Sequence, residues 1–125
     1  MARLSELLKV WPEVPAPVKV VAAALTHLRD RVRNGARVLL YEDSSRRVAE
    51  TSRSRVELER RGSGWVLRLV RYTKSGKDVR VAVLPVGDDT AEELWRAVQR
   101  VVEEVPEEVE VPDSIVEKLW RTERG

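Results

Sequence analysis

Apolar positions recur along this chain with two different periods. Val18, Val21, Leu25, Leu28 and Val32 are spaced 3, 4, 3 and 4 apart, which predicts an amphipathic helix from Val18 to Asn34. Pro17 suits its first turn and Gly35 its stop. Ala91, Leu94, Trp95, Val98, Val101, Val102 and Val105 form a second helical stripe from Thr90 to Val105, with Thr90 and Glu93 spaced as a capping box. A short helix over Ser5 to Val10, with Leu4, Leu7 and Leu8 on one side, ends at the prolines of WPEVPAP. After the linker PEEVEVP, Ile115, Val116, Leu119 and Trp120 mark a last helix from Asp113 to Arg121.

The middle of the chain alternates with period 2. ARVLLYE (Ala36 to Glu42) reads as a short strand, and Val56 and Leu58 alternate with Glu57 and Glu59. RGSG and TKSGK are turns around a strand from Trp65 to Tyr72, and another strand runs from Asp78 to Val86. The polar stretch DSSRRVAETSRSR (Asp43 to Arg55) is either a loop or a strand around Arg47 to Thr51.

Matching apolar residues across the turns predicts a register. Arg60 pairs with Trp65, Leu58 with Leu67, Val56 with Leu69 and Glu57 with Arg68. A five-residue loop at Thr73 to Lys77 then pairs Tyr72 with Asp78 and Val70 with Arg80. The expected inner face holds Val56, Leu58, Trp65, Leu67, Leu69, Val79, Val81 and Val83. The outer face holds Arg55, Glu57, Arg68, Val70, Tyr72, Arg80 and Ala82. The whole chain, residues 1–125, is expected to be a single α+β domain, with an antiparallel β-meander of about four strands packed on helices.

Composition narrows the function. Cysteine is absent, which removes disulfides and thiolate metal sites. The N-terminal stretch lacks the apolar core of a signal peptide, and no apolar run reaches the roughly 20 residues that span a bilayer. A cytoplasmic protein with no membrane partner is expected. Charged residues make up 35%, arginine far outnumbers lysine, and Asn34 and Gln99 are the sole amides. This resembles proteins of hot environments, where ion-pair networks cover surfaces that bind nothing.

The charge is unevenly placed. Residues 36–86 carry 12 Lys/Arg against 6 Asp/Glu, and residues 87–125 carry 5 against 12. Either a basic binding face lies beside an acidic flank, or subunits pack basic half against acidic half.

Catalytic chemistry has little footing. His27, the single histidine, is followed by Asp30 at a spacing suited to a base and its orienter, but no nucleophile signature accompanies it. GSG and SGK lie in hairpins, not at a helix N-terminus, so neither is a phosphate loop. Asp88 and Asp89 read as caps of the helix that follows. No cofactor or metal is implied.

What remains is a basic set around the meander: Arg46, Arg47, Arg53, Arg55, Arg68, Lys74, Lys77 and Arg80, with Tyr72 among them. Guanidinium and ammonium groups suit a phosphate backbone, and an aromatic ring offers a stacking surface for unpaired bases. Neither long helix is basic along a full face, as a major-groove reader would be. The competing view pairs Glu57 with Arg68 and Asp78 with Arg80 as surface salt bridges.

The order helix, strand, basic meander, helix resembles the ThermoDBP family of archaeal single-stranded DNA-binding proteins, in layout and composition over roughly the whole chain. The resemblance implies a cleft whose basic rim is Arg46, Arg47, Arg53, Arg55, Arg68 and Arg80. With phenylalanine absent, its aromatic floor falls to Tyr72 and Tyr41. Single-stranded DNA is thus the expected partner, with single-stranded RNA as a variant and a non-enzymatic interaction scaffold as the alternative. The terminal stripes (Leu4, Leu7, Leu8 and Trp11; Ile115, Leu119 and Trp120) are expected to pack on a second subunit in a homodimer or homotetramer, or else to fold back on their own core.

Overall fold

The computed structural model describes residues 2–124. Five strands form one antiparallel sheet in sequence order: β2 (Leu39–Glu42), β3 (Arg46–Glu50), β4 (Ser54–Arg61), β5 (Gly64–Thr73) and β6 (Gly76–Leu84). Helices α2 (Ala16–Arg33), α3 (Asp88–Glu104) and α4 (Asp113–Arg124) pack together, and α2 lies against β5 and β6. The short α1 (Leu4–Lys9) follows β1 (Ala2–Arg3), which pairs with β7 (Glu110–Val111) and so clasps the chain ends together. The expected α+β class is what the chain adopts.

Local chemistry accounts for the element ends. At the end of α2, Gly35 takes a φ of +91°, its N–H donates to Val32 O at 2.9 Å, and the Ala36 N–H donates to Arg31 O at 2.9 Å. That pair of bonds is a Schellman stop, and it needs a residue tolerant of positive φ. The segment left open as loop or strand is β3. Its hairpin with β2 is closed by Asp43, whose carboxylate accepts the N–H groups of Ser45 and Arg46, both at 2.8 Å. The Ser45 N–H bond is the main cause holding the Asp43 carboxyl below its ordinary range. The capping box does not form. Gly87 is the N-cap of α3, Thr90 is buried, and Glu93 accepts a hydrogen bond from Ser114 instead.

The β4–β5 register is the expected one, with Arg60 opposite Trp65, Leu58 opposite Leu67, and Glu57 opposite Arg68. The β5–β6 register is one residue away from expectation. Lys74 and Ser75 make a two-residue turn, so Tyr72 faces Lys77, Val70 faces Val79 and Leu69 faces Arg80. Because side chains alternate, this slip exchanges the two faces of β6. Ala82 and Leu84 are buried against the helices, at 3% and 0% exposure, while Val79, Val81 and Val83 are exposed on the outer side. Arg80 therefore belongs to the helix side of the sheet. Matching valine to core favoured the other register; the packing of α2 over β6 instead selects small Ala82 beneath it.

The core lies between the inner sheet face and α2, α3 and α4. Trp65 and Trp95 are buried within it, while Trp11 and Trp120 pack partly buried at its margin. Leu7, Ile115 and Leu119 are buried in the same core. Most of both terminal stripes thus folds back on its own domain, the second of the two alternatives the sequence offered, while Leu8 stays 56% exposed.

Candidate nucleic-acid interface

On the outer face, Arg46, Arg55 and Arg68 all turn to Glu57, at 3.8, 3.0 and 3.2 Å. Arg68 also reaches Glu59 at 3.4 Å, and Arg61 meets Glu59 at 2.7 Å. The Arg61 hydrogen bond, followed by the weaker effect of Arg68, holds the Glu59 carboxyl below its ordinary range. Cross-strand and same-strand spacing brings these groups together, since Glu57 stands opposite Arg68 and two residues from Arg55. Val48 and Val66, opposite Glu57 and Glu59 in the ladder, are buried although they lie on the open face. The alkyl stems of this network roof them.

Arg47 faces the helix side. It lies 3.7 Å from Glu92 and places its guanidinium over the Trp65 ring. Arg60 meets Asp88 at 3.3 Å, and the Trp65 and Trp95 indoles donate to Asp88 and Glu42. The acidic C-terminal part of the chain and the basic sheet therefore meet within one molecule along α3. Asp88 serves these cross-links, not a helix cap.

The remaining cations gather at one end of the sheet. Arg53, Lys74, Lys77 and Arg80 make no ion pair among the described residues. Arg53 sits in the turn between β3 and β4, which is locked from inside. The buried hydroxyls of Thr51 and Ser54 share a hydrogen bond of 2.7 Å, Thr51 Oγ1 accepts the Arg53 N–H at 3.2 Å, and Arg53 O accepts the Tyr72 N–H at 2.9 Å. Tyr72 is 52% exposed on the outer face, opposite Lys77, and beside Val70 and Val79. Lys74 occupies the turn next to it.

No family model, curated protein or solved structure matches this chain. Its function has to be reasoned from its own residues.

Sequence reasoning passed over Arg31 and Arg71, and it set His27 aside. With Arg53, Tyr72, Thr73 and Asp78, these three line a pocket of about 410 Å³ between α2 and the end of the sheet. His27 and Arg31 share a helix face at i and i+4, and β5 alternation turns Arg71 to the inner side, so the signal was present. Arg71 is paired with Asp78, and Asp30 is held by Arg29 at 3.1 Å. Burial, then the positive charges of Arg71 and Arg31, push the His27 pKa below its ordinary value, against a smaller opposing pull from Asp30. Elsewhere, a groove of about 380 Å³ beside α3 is lined by Ala97, Val101 and Pro112, with Glu93, Glu108, Glu110 and Asp113 outnumbering Arg96 and Arg100.

Proposed function

We propose that this protein binds single-stranded DNA with little sequence preference, at the end of the outer sheet face around Tyr72. The observation that carries this reading is the grouping of Arg53, Lys74 and Lys77, with no carboxylate partner among the described residues, around an exposed tyrosine. Val70, Val79 and Val81 extend its apolar surface. Cations to follow phosphates and a flat ring to stack bases are the elements of sequence-tolerant single-strand binding. Arg46, Arg55 and Arg68 contribute only the surplus positive charge left by Glu57 and Glu59. Arg47 and Arg80 lie on the other side of the sheet and are removed from the interface. The reading keeps the resemblance to the archaeal single-stranded DNA-binding family as a proposal, and RNA as a variant ligand.

The test is fluorescence anisotropy with labelled oligo-dT. Replacing Arg53, Lys74 and Lys77 together by Glu should abolish binding with the circular dichroism spectrum unchanged; unaltered affinity in that variant would refute the site. For the parent protein, log affinity should fall with log salt by about 0.7 per phosphate contact.

One observation favours the alternative, a scaffold without nucleic acid. β6 is an open sheet edge whose outer side carries Val79, Val81 and Val83, at 42%, 50% and 67% exposure. Such an edge invites strand addition. Antiparallel pairing of two β6 strands about Val81 would set the three valines of each copy in one row. Pairing of this kind also suits the first reading, since it would join two Tyr72 faces. Light scattering separates the cases: a dimer that Val81→Lys makes monomeric, with no affinity for oligo-dT, leaves the scaffold alone standing.

A further inference from the structure

The pocket beneath the β5–β6 turn holds more positive charge than the one carboxylate lining it, Asp78, can neutralise among the described residues. Arg31 and Arg53 have no carboxylate partner among the described residues, because Asp30 is engaged by Arg29 and Asp78 by Arg71. Arg31 Nε and His27 Nε2 are buried without a hydrogen-bond partner among the described residues; Arg46 Nε and Arg55 Nε on the outer face share that state, but their guanidinium groups meet Glu57. Buried polar atoms are normally satisfied, and like charges held together cost stability. Both costs are relieved by a bound anion. The groups are also fixed in place: the Schellman stop holds the backbone at Arg31, and the Thr51–Ser54 hydroxyl pair holds the turn that carries Arg53.

A second hollow of about 300 Å³ adjoins the pocket, and His27 and Arg71 line both. Beyond these two residues lies an apolar patch of Leu4, Trp11, Ala23 and Leu69, bordered by Thr26, Asp30 and Arg80. A compact anion at one end and an apolar body at the other describe a single ligand type.

We infer that this pocket binds a phosphate monoester on an organic body, with Arg31 and Arg53 holding the phosphate, Arg71 beside it while paired with Asp78, His27 Nε2–H donating to it, and the attached group lying toward Trp11. Guanidinium forks match phosphate oxygens in pairs, which explains arginine in place of lysine here. Two sources offer this chemistry: a free mononucleotide, or the phosphorylated end of a strand lying on the Tyr72 face. The second source rests on the single-stranded DNA reading; the pocket itself does not.

Binding is measured by calorimetry with thymidine monophosphate and inorganic phosphate, and by anisotropy with oligo-dT bearing a 5′-phosphate, a 3′-phosphate or neither. Thymidine monophosphate should bind more tightly than inorganic phosphate. Arg31→Met should weaken it roughly tenfold or more, the loss expected for a charge-assisted contact, and should leave unphosphorylated oligo-dT unaffected. Arg46→Gln, on the opposite face, should change nothing for the mononucleotide.

A second readout is the His27 imidazole followed by NMR. It is faced by Asp30 and Arg31 on α2, by Arg71 on β5, and by Arg53, Asp78 and Arg80 around the pocket. A bound dianion should raise its titration midpoint, and Arg31→Met should diminish that rise. A preference for a phosphorylated oligonucleotide end assigns the strand as source. Mononucleotide binding with no oligo-dT affinity keeps the pocket and removes the DNA reading. The inference is overturned if neither phosphate compound binds at millimolar concentration, or if binding ignores Arg31→Met and leaves His27 unmoved.

Discussion

Two arginine clusters, one on each side of the same sheet, have opposite electrostatic character. On the outer face, Arg46, Arg55 and Arg68 converge on Glu57, with Glu59 as a second acceptor, and the assembly covers Val48 and Val66. At the end of the sheet, Arg31 on α2 and Arg53 in the β3–β4 turn stand beside His27 without counter-ions among the described residues. Among the described residues each guanidinium of the first cluster meets a carboxylate, even though Arg46 Nε and Arg55 Nε are buried without a hydrogen-bond partner, whereas Arg31 and Arg53 of the second meet none. Counting arginines along a chain does not distinguish the two. What distinguishes them is whether a carboxylate already occupies the guanidinium's hydrogen-bonding edge.

The contrast depends on the β5–β6 register, so the largest expected effect tests that first. Leu84→Ala should cost about 3 kcal/mol in denaturant unfolding, as a buried leucine does, whereas Val83→Ala on the open side should cost less than about 0.5 kcal/mol. Equal costs would mean that the faces of β6 are wrongly placed, and with them Arg80.

Glu57→Gln sharpens the difference between the clusters next. Removing the hub leaves three guanidinium groups facing each other, and stability should fall by about 1–2 kcal/mol. The same substitution frees their charge, so oligo-dT affinity should rise while stability drops. A variant that loses stability with no gain in affinity would exclude the outer face from DNA binding.

Arg31→Met should do the reverse in the absence of ligand. It relieves an unpaired cation and a buried unsatisfied nitrogen, and should raise stability by about 0.5–1 kcal/mol. Destabilisation would show that Arg31 has a structural partner after all.

The smallest effect is with pH. His27 has a folded-state pKa below its ordinary value of 6.5, so the unfolded chain takes up the proton first. The contribution of His27 to stability is complete above pH 6.5 and declines as pH falls below it. His27→Gln should flatten that decline, and added phosphate should reduce it by favouring the protonated ring.

Much of this was legible in the residues. The helices at Val18 and Thr90, the meander, and the whole β4–β5 register followed from apolar spacing, because each apolar match there coincides with the observed pair. Tyr72, Arg53, Lys74 and Lys77 were picked out by residue type, and their role is a proposal. The β5–β6 pairing was not legible. TKSGK accommodates either a five-residue loop or a two-residue turn, and both registers offer an apolar face, one of valines and one of Ala82 and Leu84.

The sequence by itself determined the class of elements, their order and the basic character of the sheet, since periodicity and charge are local properties. Only the tertiary structure decided which arginines are spent on glutamates and which are left over. That allocation depends on which strand lies beside which and how α2 crosses β6, and distances between Arg31, Arg53 and Arg71 exist only once those elements have packed.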